Sequence, residues 1–488
     1  MTYLVDSKLK ILKRLSLLQS LTPIIFLIIL LTYNVYVFGD DSLDGSNQFI
    51  LLIGASIAIL IGFINKISYK LIIKKIGKNL YSVTGAILIL LFVGALAGTW
   101  LISGIIPAMI YYGLLIIHPS IFLPACVILC ALVSLATGSS WSTSATIGVA
   151  LIGIGKALGL PPGIVAGAAI SGAYFGDKLS PLSDTTNLAP AVSGAKLFQH
   201  IKYMTYTTVP SILITIIILF IIGFSQDING NTETINLLKS IEEKFNISPI
   251  VFIVPAVVIY SITRKAPPLI ALFIGTLLGG LFSLILQPKI IIELSEANQL
   301  TFYSAYQTII NAITVETQII TSNELLNDLF YSGGMKGMLN TIWLIICAMV
   351  FGGAMDAIGA LKTISQKFLA WAESTFKLFA STLASCLTVN LTASDQYLSI
   401  VIPGKMFAKA YKQRRLSPEN LSRTLEDSGT VTSVLIPWNT CGAYQAGVLG
   451  VSVADYFFYA IFNWISPLMT LFYAAFKIKI KMISNKLN

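Results

Sequence analysis

Long runs of apolar residues, separated by short polar segments, dominate the chain. Examples extend from Pro23 to Phe38, from Ser211 to Phe224 and from Pro267 to Leu286. A helix that crosses a bilayer needs about 20 mainly apolar residues, so these runs are typical of membrane-spanning helices. The whole chain is 55% hydrophobic and only 11% charged, whereas soluble domains carry roughly a quarter charged residues. The sequence therefore predicts an all-α polytopic membrane protein.

Basic residues fall in short clusters between the apolar runs, which indicates how the chain crosses the membrane. Lys8 to Arg14 and the five lysines within Asn65 to Lys78 enclose an acidic loop, Gly39 to Ser46. Cytoplasmic loops are enriched in Lys and Arg, so the alternation predicts about fourteen crossing elements with both termini in the cytoplasm. Because the net charge of +10 is dispersed in this way, we expect a lipid bilayer as the partner and no nucleic acid.

An internal repeat divides the chain. The segments Leu158 to Thr185 and Arg414 to Cys441 align without a gap at an offset of 256 residues, and one residue of slack also aligns Thr137 to Thr143 with Thr392 to Leu398. The basic clusters make the two copies run in opposite directions, which is typical of secondary transporters with discontinuous helices near the midplane. We therefore expect two inverted-topology halves with the following bounds: residues 1–247, with a core at about 83–224, and residues 248–488, with a core at about 339–476 and an external loop at about 288–336.

Four polar segments interrupt the apolar pattern, and we call them the first to fourth breaks. They are Thr137 to Thr146, Gly176 to Asn187, Asn390 to Gln396, and Glu426 to Thr440. Unwound backbone at membrane depth is tolerated only where protein buries it or where it lines a wet cavity. Hydroxyl, carbonyl and carboxylate oxygens at such breaks suit Na+, and the ends of half-helices add favourable dipoles.

Aspartates at the breaks are the candidate ion carriers. A carboxylate can hold either a sodium ion or a proton, so competition at one group would couple the two ions. Intramembrane acids are functional candidates by default. Asp184, Asp427 and Asp395 are favoured as the Na+ site. Asp177 comes after them because the neighbouring Lys178 could draw it to the membrane interface.

Several other polar and aromatic residues have two interpretations from sequence alone, as structural residues or as part of a site. Arg423 and Glu426 lie one helical turn apart and could form an ion pair. Asp356 could be a site acid or could pair with a lysine elsewhere in the chain. Trp141 and Trp438 could line a cavity or could pack against other helices.

Four stretches carry a resemblance to a known family: "GSSWSTSATIG", "ISGAYFGDKLSPLSDTTNLAPA", "DQYLSIVIPGKMF" and "LSRTLEDSGTVTSVLIPWNTCGAY". Over about residues 78–464 the chain strongly resembles the NhaC family of bacterial Na+/H+ antiporters. The resemblance implies sodium export in exchange for protons across a bacterial inner membrane, as in pH homeostasis, without a cofactor. The family also looks to include an exchanger of sodium and malate for protons and lactate, together with amino-acid carriers, so an organic substrate stays an alternative.

The sequence thus predicts a Na+/H+ antiporter that works by alternating access, and association with further copies of the chain is left open. Two histidines and five cysteines without metal-site spacing argue against an enzyme. The candidate ion-binding residues are Asp184, Asp427, Asp395, Asp177, Ser140, Thr143, Ser180, Ser183, Thr185, Asn390, Thr392, Thr430, Asn439 and Thr440.

Overall fold

A computed structural model describes residues 15–38, 42, 44–116, 118–225 and 231–483. The basic segment Lys8 to Arg14, most of the acidic loop before Ser46 and the last five residues lie outside these ranges. The cytoplasmic placement of both termini therefore stays a prediction.

The described chain is mostly helical and strongly apolar. Within the described ranges, seven helices are long and apolar enough to cross a membrane: Leu17–Phe38, Ser46–Ile64, Thr84–Ile102, Leu197–Phe224, Pro268–Leu286, Gly334–Ala357 and Thr375–Ala393. A bent pair, Ile235–Lys244 and Pro249–Thr263, gives an eighth span if it is taken as one crossing. These spans confirm a polytopic helical membrane protein, and the larger number of crossing elements stays a prediction.

Shorter helices fill the space between these spans. The longer ones are Tyr69–Ser82, Ile105–Ile116, Phe122–Thr137, Val149–Ala157, Pro162–Leu179, Asp184–Ser193, Asn231–Lys244, Ile253–Thr263, Phe302–Thr314, Ala360–Trp371, Gln396–Gln413, Pro418–Leu425, Thr440–Leu449 and Ile461–Ala475. Single turns and short pieces are Ser140–Thr143, Pro288–Leu294, Glu324–Leu329 and Val453–Tyr456. Two π-helical turns, Ser144–Gly148 and Glu426–Thr430, lie at breaks.

Helix bounds recur between the two halves of the chain. Prolines start the helices Pro162–Leu179 and Pro418–Leu425, because a first-turn position needs no backbone N–H. The helices Asp184–Ser193 and Thr440–Leu449 each have ten residues, and each ends at a glycine in the left-handed conformation, a common helix stop. The offset of 256 residues thus holds for local structure as well as for sequence.

The segment predicted as an external loop, about 288–336, is folded and packs against helix Thr84–Ile102. It contains helix Phe302–Thr314 and two short antiparallel strands, Thr317–Gln318 and Tyr331–Ser332. The approach to the long helix is close, since a Cβ added at Gly98 would lie 1.7 Å from the carbonyl oxygen of Ala312.

Two helices that carry breaks lie against each other through glycines. A Cβ at Gly172 would lie 2.2 Å from the carbonyl oxygen of Val127, and one at Gly176 would lie 2.3 Å from that of Ala131. Small residues of this kind allow membrane helices to approach closely. The contact brings the C-terminal ends of helices Phe122–Thr137 and Pro162–Leu179 together, and these ends lead into the first and second breaks.

Candidate functional site

The first break is a sharp stop followed by a new helix start. Helix Phe122–Thr137 ends at Gly138, which has a φ of 71°, and Ser139 then accepts a hydrogen bond from the backbone N–H of Ser142 at 3.2 Å. A Cβ at Gly138 would lie 2.6 Å from the Cβ of Leu182. Glycine is therefore needed both for the turn and for contact with the second break.

The second break lies between helices Pro162–Leu179 and Asp184–Ser193. Ser183 caps the second helix by accepting a hydrogen bond from the backbone N–H of Thr186 at 3.4 Å. The hydroxyl of Thr186 in turn donates to the carbonyl oxygen of Lys178 at 3.0 Å. These bonds satisfy backbone groups that the unwound segment would leave without partners.

The third break repeats the geometry of the first. Helix Thr375–Ala393 ends at Ser394, which has a φ of 58°, and Asp395 then caps the next helix. Its carboxylate accepts from the backbone N–H of Leu398 at 2.8 Å. The left-handed residues Gly138 and Ser394 pair at the offset of 256, as do the caps that follow them. The residue of slack that the sequence alignment uses here is therefore wrong at the break itself.

The fourth break is the longest. Helix Pro418–Leu425 passes into the π-helical turn, then into a 3-10 turn, Ser433–Leu435, and Asn439 caps helix Thr440–Leu449. The backbone N–H of Thr440 donates to the carbonyl oxygen of Ser394 at 2.9 Å. This bond ties the fourth break directly to the third.

One cavity of about 590 Å³ lies among the four breaks. Its polar and charged lining comprises Ser82, Thr137, Ser139, Asp177, Ser183, Asp184, Thr185, Lys265, Asp395, Gln396 and Thr440, and Tyr397 and Trp141 also face it. Residues from both halves of the chain therefore share one space, although they lie far apart in sequence.

Six of the residues predicted from sequence line this cavity. They are Asp177, Asp184, Asp395, Ser183, Thr185 and Thr440. Asp184 is exposed, whereas Asp177 and Asp395 are only 9% and 3% exposed. The three carboxylates do not close into a tight ligand cluster, since the described residues contain no group of three His, Cys, Asp or Glu side chains that could hold a metal ion.

Asp177 is held by the start of the helix after the first break. Its Oδ2 accepts hydrogen bonds from the backbone N–H of Ser140 at 3.1 Å and from the Ser140 hydroxyl at 2.7 Å. A hydroxyl donor and a helix N-terminus both favour a carboxylate. Asp177 is thus a buried residue of the cavity wall, and Lys178 does not draw it to an exposed position.

Other predicted residues form a layer behind the cavity. The Nδ2 of Asn390 donates to the carbonyl oxygen of Gly429 at 2.7 Å, and the Nδ2 of Asn439 donates to the Oδ1 of Asn390 at 3.2 Å. Buried amide networks of this kind fix the relative positions of segments. Five more predicted residues are buried outside the lining: Ser140, Thr143, Ser180, Thr392 and Thr430.

Asp427 lies outside the cavity lining, in a separate buried cluster. Its Oδ1 accepts from the ammonium of Lys178 and from the hydroxyl of Ser466 at 3.0 Å. Its Oδ2 accepts from the hydroxyls of Thr207, at 2.9 Å, and Thr470. Both charged side chains are fully buried, so in this conformation Asp427 has four donors within the protein.

Three alternatives left open by the sequence have structural answers. Asp356 pairs with Lys75 at 2.8 Å, which is the structural reading. The ring of Trp141 faces the cavity and stacks on Tyr444 with centroids 4.1 Å apart. Trp438 instead donates from its indole nitrogen to the carbonyl oxygen of Leu391 at 2.9 Å.

The expected pairing of Arg423 with Glu426 is absent from the described residues. Arg423 is fully buried with its guanidinium 4.5 Å from the ring centre of Tyr203, and Glu426 is also fully buried. Neither side chain has a hydrogen-bond partner among the residues that the structure describes. The sequence analysis missed Glu426 as a separate buried acid, although its place beside Asp427 in a polar break was a usable signal.

Comparison with known proteins points to transporters throughout. An Na(+)/H(+) antiporter NhaC from Alkalihalophilus pseudofirmus is 39% identical over 387 residues, which cover 79% of this chain and 81% of that protein. A malate-2H(+)/Na(+)-lactate antiporter from Bacillus subtilis is 38% identical over 445 residues, 91% of this chain and 90% of that protein. The arginine/ornithine antiporter ArcD from Halobacterium salinarum is 32% identical over 463 residues, 94% and 91%.

A family model gives the assignment directly. The model described as the Na+/H+ antiporter family matches residues 172–478, which contain the second, third and fourth breaks. Together with relatives that align over most of their own length, this match places the chain. It belongs to the Na+/H+ antiporter family.

Proposed function

We propose that this protein exchanges sodium ions for protons across a bacterial inner membrane by alternating access, and that the cavity among the four breaks is the sodium pathway. The observation that carries the proposal is the convergence of Asp177, Asp184 and Asp395 on one cavity, from both halves of the chain. Transport of this kind needs no cofactor and no covalent chemistry.

The charge of the cavity favours a cation as the substrate. Three carboxylates line it and one ammonium, that of Lys265, faces them. Walls with an excess of one charge raise the local concentration of ions of the opposite sign. A sodium ion that enters is therefore attracted, and a free organic anion meets repulsion unless it brings its own cation.

Sodium would be held by oxygen atoms that the breaks provide. Because the described residues contain no group of three acids that could hold a metal ion, we infer that the ion contacts fewer than three carboxylates, with hydroxyls and water in the remaining positions. Asp177 has the most suitable setting, since Ser140 holds its carboxylate in place and the hydroxyls of Ser183 and Thr185 line the same cavity.

The cavity opens on the side that we infer to be cytoplasmic. Its lining includes residues from two segments, 82–89 and 262–268. Both segments lie next to basic clusters that the positive-inside rule places in the cytoplasm. The conformation described would then be inward-facing. Inverted-topology halves would exchange their conformations to open the same carboxylates to the outside.

Exchange of organic acids is the second candidate, and one observation favours it. Ser139, Ser183 and Asp395, which line the cavity, each cap the N-terminus of a helix, and helix N-termini attract anions. Two relatives are also named for organic substrates. Against this candidate, Lys178 is engaged by Asp427 and so gives no free counter-charge in the cavity.

Proteoliposomes with an acid interior and a trapped pH dye test the two candidates. We expect external NaCl alone to raise the internal pH, and malate, lactate or arginine to leave the rate unchanged. An Asp177→Asn variant should abolish the response. Asp328→Asn is the matched control, because Asp328 is an exposed acid in helix Glu324–Leu329. A response that requires an organic substrate would replace the sodium/proton assignment by the second candidate.

A further inference from the structure

Glu426 is a buried acid that the sodium pathway does not use. It begins the π-helical turn Glu426–Thr430, it is fully buried, and neither carboxylate oxygen has a hydrogen-bond partner among the described residues. Rare π-helical turns are often found at functional sites. A buried acid without partners at such a turn needs a physical explanation.

The surroundings of Glu426 favour the neutral acid over the carboxylate. The carboxyl accepts no hydrogen bond of normal geometry among the described residues, although the hydroxyls of Thr185 and Thr430 lie near it. Burying an ionised carboxylate without hydrogen bonds costs several kcal/mol or more. Arg423, one turn earlier, does not supply a donor, since its guanidinium lies against aromatic rings. We infer from this geometry that Glu426 carries a proton in the conformation described.

Thr185 and Lys178 lie on two sides of this acid. Thr185 lines the cavity and its hydroxyl lies near the carboxyl of Glu426, so it stands between the cavity and the acid. The ammonium of Lys178 donates to Asp427, the residue that follows Glu426 in the chain, and to Ser466.

The remaining titratable groups near Glu426 come from the elements packed against it. The neighbouring helices contribute Asp177 beside Lys178, Asp184 at the start of helix Asp184–Ser193, and Asp395 at the start of helix Gln396–Gln413; the latter also carries Lys405, Lys409 and Lys412 toward its other end. Lys178 and Arg423 are both fully buried cations near Glu426, but the Arg423 guanidinium lies over the rings of Tyr203 and Tyr473. A charge that appears on Glu426 would therefore find its compensation at Lys178.

We propose that Glu426 is the proton-binding group of the exchange and is distinct from the cavity carboxylates that bind sodium. This inference rests on the proposed function. On uptake, a hydronium ion in the cavity gives a proton to the Thr185 hydroxyl and becomes water, the hydroxyl gives its own proton to the Glu426 carboxylate, and an O–H bond forms there. On release, this O–H bond breaks and the proton returns through the Thr185 hydroxyl to water in the cavity. Lys178 then shares its positive charge between the carboxylates of Glu426 and Asp427.

Separate sites make a prediction that competition at a single carboxylate does not. If one aspartate carried both ions in turn, its loss would end every mode of sodium movement. If Glu426 carries the proton, its loss should end proton coupling while sodium still binds and crosses. Exchange of labelled for unlabelled sodium measures the second process without any net proton movement.

The test compares Glu426→Gln with wild type in proteoliposomes. The amide has the shape of the neutral acid but cannot release a proton to become a carboxylate. We expect sodium-driven alkalinisation to fall at least fiftyfold, while uptake of radioactive sodium into sodium-loaded vesicles stays within about threefold of wild type. Glu419→Gln is the matched control, since Glu419 is a carboxyl on helix Pro418–Leu425 that pairs with Lys481 near the surface, and it should retain both activities.

Further variants keep the outcome decisive. Glu426→Leu removes the buried polar group and serves if the amide variant does not fold, and Glu426→Asp should restore part of the proton coupling. Normal alkalinisation by a folded Gln or Leu variant would overturn the inference, as would equal loss of both activities. A wild-type protein that moves sodium without protons would instead refute the proposed function, and the inference with it.

Discussion

Lys178 and Asp427 form an ion pair from which water is completely excluded, although 249 positions separate them in the chain. The pair joins helix Pro162–Leu179 of the first half to the π-helical turn of the second. Ser466 donates to the same carboxylate oxygen as Lys178, so the pair is embedded in hydrogen bonds. If either residue lost its partner, no solvent would be present to stabilise the remaining charge.

Removal of one member of this pair should destabilise the protein more than removal of both. Asp427→Asn leaves the ammonium of Lys178 buried without its counter-charge, and loss of one partner from a buried pair costs about 3–5 kcal/mol. The double variant Lys178→Met with Asp427→Asn should recover more than half of that loss. Thermal unfolding followed by tryptophan fluorescence in detergent should order the melting temperatures as wild type, double variant, single variant.

A single variant as stable as wild type would contradict the ion pair as described. A double variant less stable than the single one would show that Lys178 stabilises the fold through contacts other than Asp427.

Loss of the Ser140 hydroxyl should weaken sodium binding without abolishing exchange. This hydroxyl donates to Asp177 at 2.7 Å, and a hydrogen bond to a charged group contributes about 1.5–3 kcal/mol. In Ser140→Ala the backbone N–H of Ser140 still donates, so we expect the lower end, about a tenfold rise in the sodium concentration that gives half-maximal alkalinisation. Ser142→Ala is a suitable control, and an unchanged sodium dependence in Ser140→Ala would exclude Asp177 as the principal sodium ligand.

The breaks could be predicted from sequence because their residue types carry local information. Gly138, Ser139, Ser183 and Asn439 belong to the residue types that stop or cap helices, and the structure places each at such a position. The repeat offset found by alignment also gives the correct helix starts at Pro162 and Pro418. Local chemistry therefore sufficed to locate the breaks along the chain.

The direction in which each acidic side chain points could not be predicted from local sequence. Successive residues on a helix point about 100° apart, so Asp177 faces the cavity while Lys178, next to it, faces Asp427. Glu426 and Asp427 diverge similarly. Which neighbour meets the cavity depends on the rotation of the helix in the packed protein, and this rotation is set by contacts between helices distant in sequence.

Substitution of Gly138 should disrupt the site more than the same substitution at another glycine in the left-handed conformation. An alanine Cβ there would lie 2.6 Å from the Cβ of Leu182, so the first and second breaks would have to separate. Gly194 has a φ of 84° with nothing within 4 Å of an added Cβ, so Gly194→Ala costs only the left-handed strain of about 1–2 kcal/mol. We expect Gly138→Ala to lose most of the sodium-driven alkalinisation and Gly194→Ala to retain it, with both measured at equal amounts of reconstituted protein.

Asp356 should be dispensable for transport. Its substitution therefore tests whether the acids of the site can be distinguished from acids with a structural role. Its partner Lys75 is 37% exposed and Asp356 itself 29%, and an ion pair that is open to solvent contributes about 0–1 kcal/mol. Asp356→Asn should therefore leave the melting temperature within a few degrees of wild type and the exchange rate within about twofold. Loss of exchange in this variant, with the protein still folded, would mean that the acids required for transport extend beyond the cavity and the Lys178 cluster, because Asp356 belongs to neither.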